Sequence, residues 1–508
     1  MHVTLKLDSA RLYAWHLVLL DELAHLPDCT VGVALSASPK PLPAAVRLGL
    51  ALEKRLAPYN VHPALAPLAP DALDRWLETS APQPDLVIDL ATGIATTQTV
   101  PPVLTPVFDG HPGETALWAA LLQGVSPRLK LHDSNQHQLL DIGWPKTERP
   151  LALSRSAAEI LARLIPALVR AALEPPPSRG LGLPSGTLST APLPNLSLAL
   201  AHKATKFARR TAWNRTVSEP QWIVAWRRCQ GQIGHPEPSI ADLTGYHTLP
   251  DQGTRYFADP FLFTRGGDIQ MFIEEFPYER GRAFISVCTL KPDGTTDAPR
   301  PVLQTEHHMS YPQIFARDGE IWMLPECSGS GKLTLYRAKR YPDEWEPAAD
   351  LIDAPLHDAT FFEHAGRLWI AASAQGMKAA PWGSSWDSLS LYRAPALLGP
   401  WTAYRADPVL IDARSARPAG DVYALAGKLF RPVQDCSSYY GSSLGVAEIT
   451  RLDDDAFEQK TIVEVAFPKR SRLLGPHTLS RLAVPGGFIE AIDVYGRISD
   501  LRAAGASI

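Results

Sequence analysis

Between Asp259 and Gly487 one arrangement of polar and apolar positions occurs five times. A polar residue, often followed by Pro or Ala, leads into a strand ending in an aromatic, and a Gly-marked turn and a second apolar strand follow. The first copy runs from Asp259 through Phe263, Gly266 and Gly267 to Phe272, the second from Tyr311 through Phe315 and Gly319 to Met323, and the third from Asp358 through Phe362 and Gly366 to Ile370. Looser copies start at Arg417, with Gly427 and Phe430, and at Pro476, with Gly486, Gly487 and Ile489. The starts at 259, 311, 358, 417 and 476 lie 52, 47, 59 and 59 residues apart, a period that fits one propeller blade per repeat. Third strands are predicted over 283–290, 333–338, 389–394 and 444–449. An alternating strand over 222–228, ahead of the first copy, is predicted to pair with the last blade and close the ring. Residues 220–508 are therefore expected to form an all-β five-bladed β-propeller. Its sheet faces are buried between blades, and its innermost strands begin at a polar axial funnel.

Residues 1–175 follow a different rhythm. Apolar strands near 3–5, 31–34 and 86–90 alternate with helical patterns over 9–26 and 44–56, which predicts an α/β domain with a mostly parallel sheet. Ligands of such sheets sit beyond the carboxyl ends of the strands, so the stretch after Leu90 and the segment 106–111 are the places to look. No GxGxxG occurs, and Gly93 alone is a weak signal. Ser156 and Glu159 have capping-box spacing and open a helix to about residue 173. Residues 176–219 read as a Pro-rich linker and a basic helix carrying Lys203, Lys206, Arg209 and Arg210.

Composition narrows the partners. A formal charge of −4 and a pI near 6.4 give no basic field, so nucleic acid is not expected. No run of eighteen apolar residues occurs, and the apolar stretches near the start are broken by Asp21, Glu22 and Pro27; neither a transmembrane span nor a secretory leader is expected. Five cysteines, odd in number and without a CxxC, read as reduced thiols of a cytoplasmic protein. The sequons at Asn195 and Asn214 are then coincidental.

The repeat gathers three carboxylates. Asp259 and Asp358 head blades one and three, and Glu326 ends the second strand of blade two. Cleaving or forming a glycosidic bond takes one carboxylic acid to protonate the leaving oxygen and one carboxylate to attack or to activate water. Glu326 is the candidate acid, Asp259 the base or nucleophile, and Asp358 the partner that tunes or orients them. Each alone could equally be a cap for backbone N–H groups. Glu274, Glu275, His307, His308, Arg417, Arg431, Asp435, His477, Glu490 and Asp493 map to the same mouth, with Glu275, His308, Arg417, Arg431, Asp435 and His477 as the substrate-binding candidates. Such a density of charge is costly to bury unless something binds it. The His307–His308 doublet has no third spaced ligand, so no metal is expected. Tyr256, Trp322, Trp369, Trp382, Trp386 and Tyr440 are aromatics for sugar stacking or for blade cores.

The segments Phe257 to Phe263, His308 to Pro312, Leu324 to Glu326, Leu335 to Arg337, Ala416 to Gly420, Arg431 to Cys436 and Gly475 to Thr478 resemble the propeller of the glucosamine inositolphosphorylceramide transferase N-terminal family, a distant relative of five-bladed arabinanases, xylosidases and invertases. The resemblance covers about residues 220–495. It implies the five-bladed fold and sugar chemistry; in plant members of that family the transfer step is assigned to a separate C-terminal glycosyltransferase domain. Blade two carries Tyr311 where the hydrolases place an acid. Residues 84–143 more faintly resemble formyltransferases: Asp109 stands where that family has an Asn, His111 matches its His, and Asp141 its later Asp. The likeness implies a degenerate or repurposed domain, with His111 and Asp141 as an acid–base pair.

Three readings follow. The first is glycosyl transfer or glycoside hydrolysis in the funnel, in making a polysaccharide or glycolipid, with a carbohydrate or glycolipid substrate and a nucleotide sugar as the donor. The second is N-formylation of an amino sugar by residues 1–175 with a folate, the less favoured cofactor. The third is binding of a glycan or nucleotide sugar without turnover.

Overall fold

The computed structural model describes residues 1–36, 40–56, 61–77, 83–91, 101–134, 138–150, 152–173, 181–182, 205, 221–233, 243–249, 253–404, 407–465, 467, 473–503 and 505. Almost all of the expected linker and basic helix, Gly93 and both sequons lie outside these residues. The chain divides into two compact units, one of 1–213 with 375–384 and 410–412, the other of the remainder.

In the first unit the sheet order is Thr30–Leu35, His2–Leu7, Leu86–Asp89, Val103–Phe108, Leu129–Asp133, Gln138–Gly143 and Leu181–Gly182. The first four strands are parallel and the rest antiparallel, which makes the sheet mixed. His111–Pro112 returns on one edge of Val103–Phe108 through a two-residue turn, and Leu129–Asp133 pairs antiparallel with the same strand. The long helix Leu153–Leu173 buries Ile160, Ile165 and Leu168 in a core shared with Leu5, Leu19, Ile88 and Trp118.

The second unit is a ring of five four-stranded blades. Blade one is Arg255–Arg265, Asp268–Pro277, Phe284–Leu290 and Arg300–Leu303; blade two is Ser310–Arg317, Glu320–Glu326, Leu333–Arg340 and Glu344–Ile352. Blade three is Leu356–His364, Arg367–Ala374, Ser388–Ala394 and Thr402–Ala403; blade four is Tyr423–Leu425, Lys428–Asp435, Ser443–Leu452 and Phe457–Val465. Blade five joins the two ends of the propeller, because Leu479–Val484 and Gly487–Gly496 are followed by Gln221–Gln230 and His247–Thr248. The predicted closure is therefore present. The repeated Gly marks are inner turns: Asp318 and Gly319 take φ 52° and 80°, Ala365 and Gly366 50° and 73°, Ala426 and Gly427 49° and 76°, the left-handed pair that matches strand twist in a two-residue hairpin.

Alternation explains why these strands are apolar on both faces. Val224 and Trp226 enter the cluster between blades five and one, with Met271 and Ile273, whereas Ile223 and Ala225 enter the cluster with Leu444 and Ile492 of blades four and five. Phe272 turns the other way, toward Ile314 and Met323 of blade two. Each blade is a septum between two cores, so a closing strand secures both. All five cysteines are free thiols. Among the described residues no helix is long and apolar enough to cross a membrane.

If the closing strand locks the ring, Trp226→Ala should cost about 3–5 kcal/mol, because this indole is fully enclosed by two blades. Urea unfolding measures it; a loss below about 1 kcal/mol contradicts the closure argument.

Candidate active site at the propeller axis

The heads of the first three blades share one distortion. Asp259, Tyr311 and Asp358 are left-handed, with φ 50°, 48° and 50°. At each, the inner strand holds one residue more than its partner: Ala258 and Phe261 face Glu274 and Phe272, Ser310 and Gln313 face Glu326 and Leu324, and His357 and Thr360 face Ser373 and Ala371. A bulge of this kind re-aims a side chain and frees a main-chain N–H. Left-handed backbone costs a non-Gly residue about 1–2 kcal/mol, so something must hold it.

The freed N–H groups are held by carboxylates of the preceding blade. Asp259 N donates to Asp493 Oδ2 at 3.0 Å, Tyr311 N to Asp259 Oδ2 at 3.2 Å, and Asp358 N to Glu326 Oε2 at 3.0 Å. Capping and chemistry thus draw on the same acids.

Blades four and five complete the cluster. Arg417 Nε donates to Asp358 Oδ2 at 2.6 Å, its Nη1 to the Oγ and carbonyl of Ser385, and its Nη2 lies 3.9 Å from Glu326 Oε2. Gln434 Nε2 adds a bond to Asp358 Oδ2 at 2.7 Å. His477 Nδ1 is 2.7 Å from Asp493 and its Nε2 3.6 Å from Asp259, while Thr478 Oγ1 donates to Asp259 Oδ1 at 2.7 Å. Trp222 stacks on His477 with 3.9 Å between ring centroids, and Tyr440 lies against Arg417, His477 and Trp386. Trp322 and Trp369 fill blade interiors instead. Tyr311 is no site acid: its ring is buried against Phe261, and its hydroxyl accepts from Gly420 N and bonds Thr360 Oγ1, tying blade two to three and four.

Environment pushes the acids apart. Burial raises Asp259 well above the carboxylate range; His477 opposes this, and the anions Glu274, Asp493 and Asp358 add to it. Burial likewise raises Asp358 to about 6 against Arg417, with Glu326 adding. Glu326 is buried too, but His357, Arg417 and the Asp358 N–H outweigh that and hold it far below its ordinary value. His477 is raised to about 9: burial works against its charge, and Asp493, then Asp259 and Asp358, overcome it. Burial thus disfavours the charged form of Asp259, expected as the base or nucleophile, while the groups around Glu326, expected as the acid, favour its charged form.

Other candidates separate. Glu274, one residue from the expected Glu275, occupies in blade one the register position of Glu326 and pairs with His308 Nε2 at 3.3 Å. Glu275 points to the opposite face, ion-paired with Arg255 and bonded by Ser286 Oγ at 2.6 Å. Arg431 donates to Gln459 Oε1 and to the carbonyls of Ser415 and Ala416, a structural clamp. Asp435 caps Ser437 N at 2.8 Å within its own loop. In the first unit Asp109 forms the left-handed turn with Gly110 before the short return strand of His111, and accepts from Arg128 N. The Arg128 guanidinium takes the Asp141 carboxylate, so Asp141 is committed to a salt bridge rather than to an acid–base pair. Asp259, His477 and Asp493 could each offer a metal one ligand atom, the three atoms lying within 4.8 Å of one another.

Residues 246–474 match the family described as Glucosamine inositolphosphorylceramide transferase 1, N-terminal. The chain is 29% identical over 252 residues to Glucosamine inositolphosphorylceramide transferase 1 of Oryza sativa subsp. japonica, a match covering 47% of this chain and 33% of that protein. It is 31% identical over 248 residues to the protein of the same name from Arabidopsis thaliana, covering 48% and 31%. The match thus spans about a third of the length of these curated relatives. Among solved structures the chain is similar to a thermostable family-43 glycoside hydrolase, with TM-score 0.33 and 14% identity over 45% of this chain and 84% of that one. It is also similar to a family 117 glycoside hydrolase of Zobellia galactanivorans, with TM-score 0.34 and 13% identity over 56% and 91%.

The raised His477 value sets a sign for stability. An imidazole at about 9 when folded and 6.5 when unfolded contributes stability that is complete below the unfolded value and is lost as pH rises through the folded one. Urea unfolding of wild type and His477→Gln across that window should therefore show the wild-type advantage shrinking with rising pH. An advantage that is constant or grows contradicts the ion-pair assignment.

Proposed function

We propose that the propeller axis processes a glycosyl unit, by transfer to an acceptor or by hydrolysis. The observation that carries this is the split between two acids of one cluster, Asp259 driven toward its protonated form and Glu326 toward its ionised form. Two titratable groups pushed in opposite directions are the acid and base pair that glycosidic chemistry needs. Asp259 donates the proton to the leaving oxygen, and the arm built on Glu326 supplies the base. Asp358, clamped by Arg417 and Gln434, fixes Glu326 through its main-chain N–H. The half-exposed rings of Trp222, Trp386 and Tyr440 give a sugar the apolar faces that its C–H groups stack on.

The names of the rice and Arabidopsis relatives favour transfer, with a glycolipid or related carbohydrate as acceptor. The N-formyl reading finds no support in the geometry, because Asp109 is a turn residue and Asp141 is held by Arg128.

A proton donor leaves a particular kinetic signature. Asp259→Asn keeps an acceptor for Tyr311 N but loses the proton, so turnover of alkyl glycosides should fall by about 10²–10⁴-fold, while p-nitrophenyl glycosides, whose leaving group needs no proton, lose far less. Equal losses on both, or none, contradict the role. Wild-type protein without turnover of any glycoside or sugar nucleotide contradicts the function.

A further inference from the structure

We propose that His357, a residue outside the acid trio, is the group that takes the proton from the incoming hydroxyl, with Glu326 acting through it. The inference rests on the glycosyl reading above and assigns the atom that carries its basic arm.

Glu326 itself is poorly placed to touch a substrate. Its Oε1 faces His357 Nδ1 at 3.0 Å and accepts from Ser328 Oγ at 3.0 Å, and its Oε2 accepts from Asp358 N with Arg417 3.9 Å away. Its Oε1 thus already holds two donors and its Oε2 one. Its side chain is 9% exposed, whereas that of His357 is 16% exposed.

The hydrogen-bond pattern fixes the ring. A carboxylate only accepts, so Nδ1 is the nitrogen that donates to Glu326, and in the neutral ring the lone pair is then on Nε2. Among the described residues Nε2 of His357 has no hydrogen-bond partner. The other two histidines at the mouth differ. His308 accepts from Ala283 N through Nδ1 and pairs with Glu274 through Nε2, so both nitrogens are committed. His477 lies between Asp493 and Asp259 beneath Trp222 and is fully buried. His357 thus has what a general base requires: one nitrogen oriented by a carboxylate and one without a hydrogen-bond partner among the described residues.

The step balances. The oxygen of an acceptor hydroxyl or water bonds the anomeric carbon as its proton passes to His357 Nε2. The bond from that carbon to the leaving oxygen breaks, its electron pair goes with the oxygen, and the Asp259 carboxyl supplies the proton. The imidazolium then rests against the Glu326 carboxylate, and exchange with solvent returns one proton to Asp259 and removes one from His357.

Full-length protein assayed with p-nitrophenyl glycosides tests this. His357→Ala should lower kcat by at least about 10²-fold with KM within about threefold, and added imidazole should recover about tenfold of the loss. His357→Gln, which keeps an N–H for Glu326 but has no base, should stay as slow as the alanine variant. An active wild type together with an unimpaired His357→Ala, a His357→Gln at wild-type rate, or an alanine variant that imidazole does not rescue overturns the base role while leaving the proposed function standing. A wild type that turns over no glycoside removes both.

Discussion

A main-chain N–H released by a bulge, and the carboxylate of the neighbouring blade that receives it, is the interaction on which the rest of the propeller site depends. It recurs at Asp259, Tyr311 and Asp358, each strained by a left-handed backbone and each held by an acid one blade back. The bulge turns the head side chain toward the axis. Where the acceptor is charged, as the neighbours of Glu326 favour, such a bond is worth about 1.5–3 kcal/mol, enough to offset the backbone strain. The same requirement brings several acids into one buried volume. A closed ring is what aligns donor and acceptor across the blade boundaries, since Asp493 meets Asp259 only when blade five has joined blade one.

Burying so many carboxylates has a cost that the cluster meets unevenly. Removing an ion from water costs several kcal/mol, and breaking a buried pair costs about 3–5 kcal/mol. Arg417 and His477 provide the two buried positive charges, and their positions decide which acids ionise. Glu326 has His357 and Arg417 beside it and stays charged. Asp259 has one histidine, shared with Asp493, and several anions around it. Which acid is pushed toward its charged form therefore follows from where the cations sit, and residue type alone does not decide it.

Much of this was legible in the sequence, and the rest has physical reasons for being hidden. The heads Asp259, Tyr311 and Asp358, the Gly-marked turns and the closing strand follow from period and alternation and appear in the fold, whereas Arg417 and Pro476 precede the inner strands of their blades. The identity of the gathered acids was readable because a ring brings equivalent positions together. Their ionisation was not, since it depends on which cation lies within a few ångströms. Glu274 and Glu275 both map to the mouth in the sequence, and Glu275 is the substrate-binding candidate there although the repeat favours Glu274: the offset from Asp259 to Glu274 equals that from Tyr311 to Glu326, 15 residues in each case, and a slip of one residue in a strand reverses the face. Arg431 looked like a site residue because charge in an apolar strand marks function or a clamp equally well. Asp109 followed by Gly110 is a hairpin-turn dipeptide, a plainer reading than a catalytic one. Placement of 375–384, which sits inside a propeller blade in sequence yet belongs to the first unit, left no pattern to read.

Side chains far apart in sequence are coupled as charges at one buried axis. A double-mutant cycle on stability with Asp358→Asn and Arg417→Met addresses it most directly, since 59 residues separate the pair and nothing but the ring unites them. The account predicts a coupling energy of about 2 kcal/mol or more, as for a buried hydrogen-bonded ion pair. Additive effects within about 0.5 kcal/mol would contradict it.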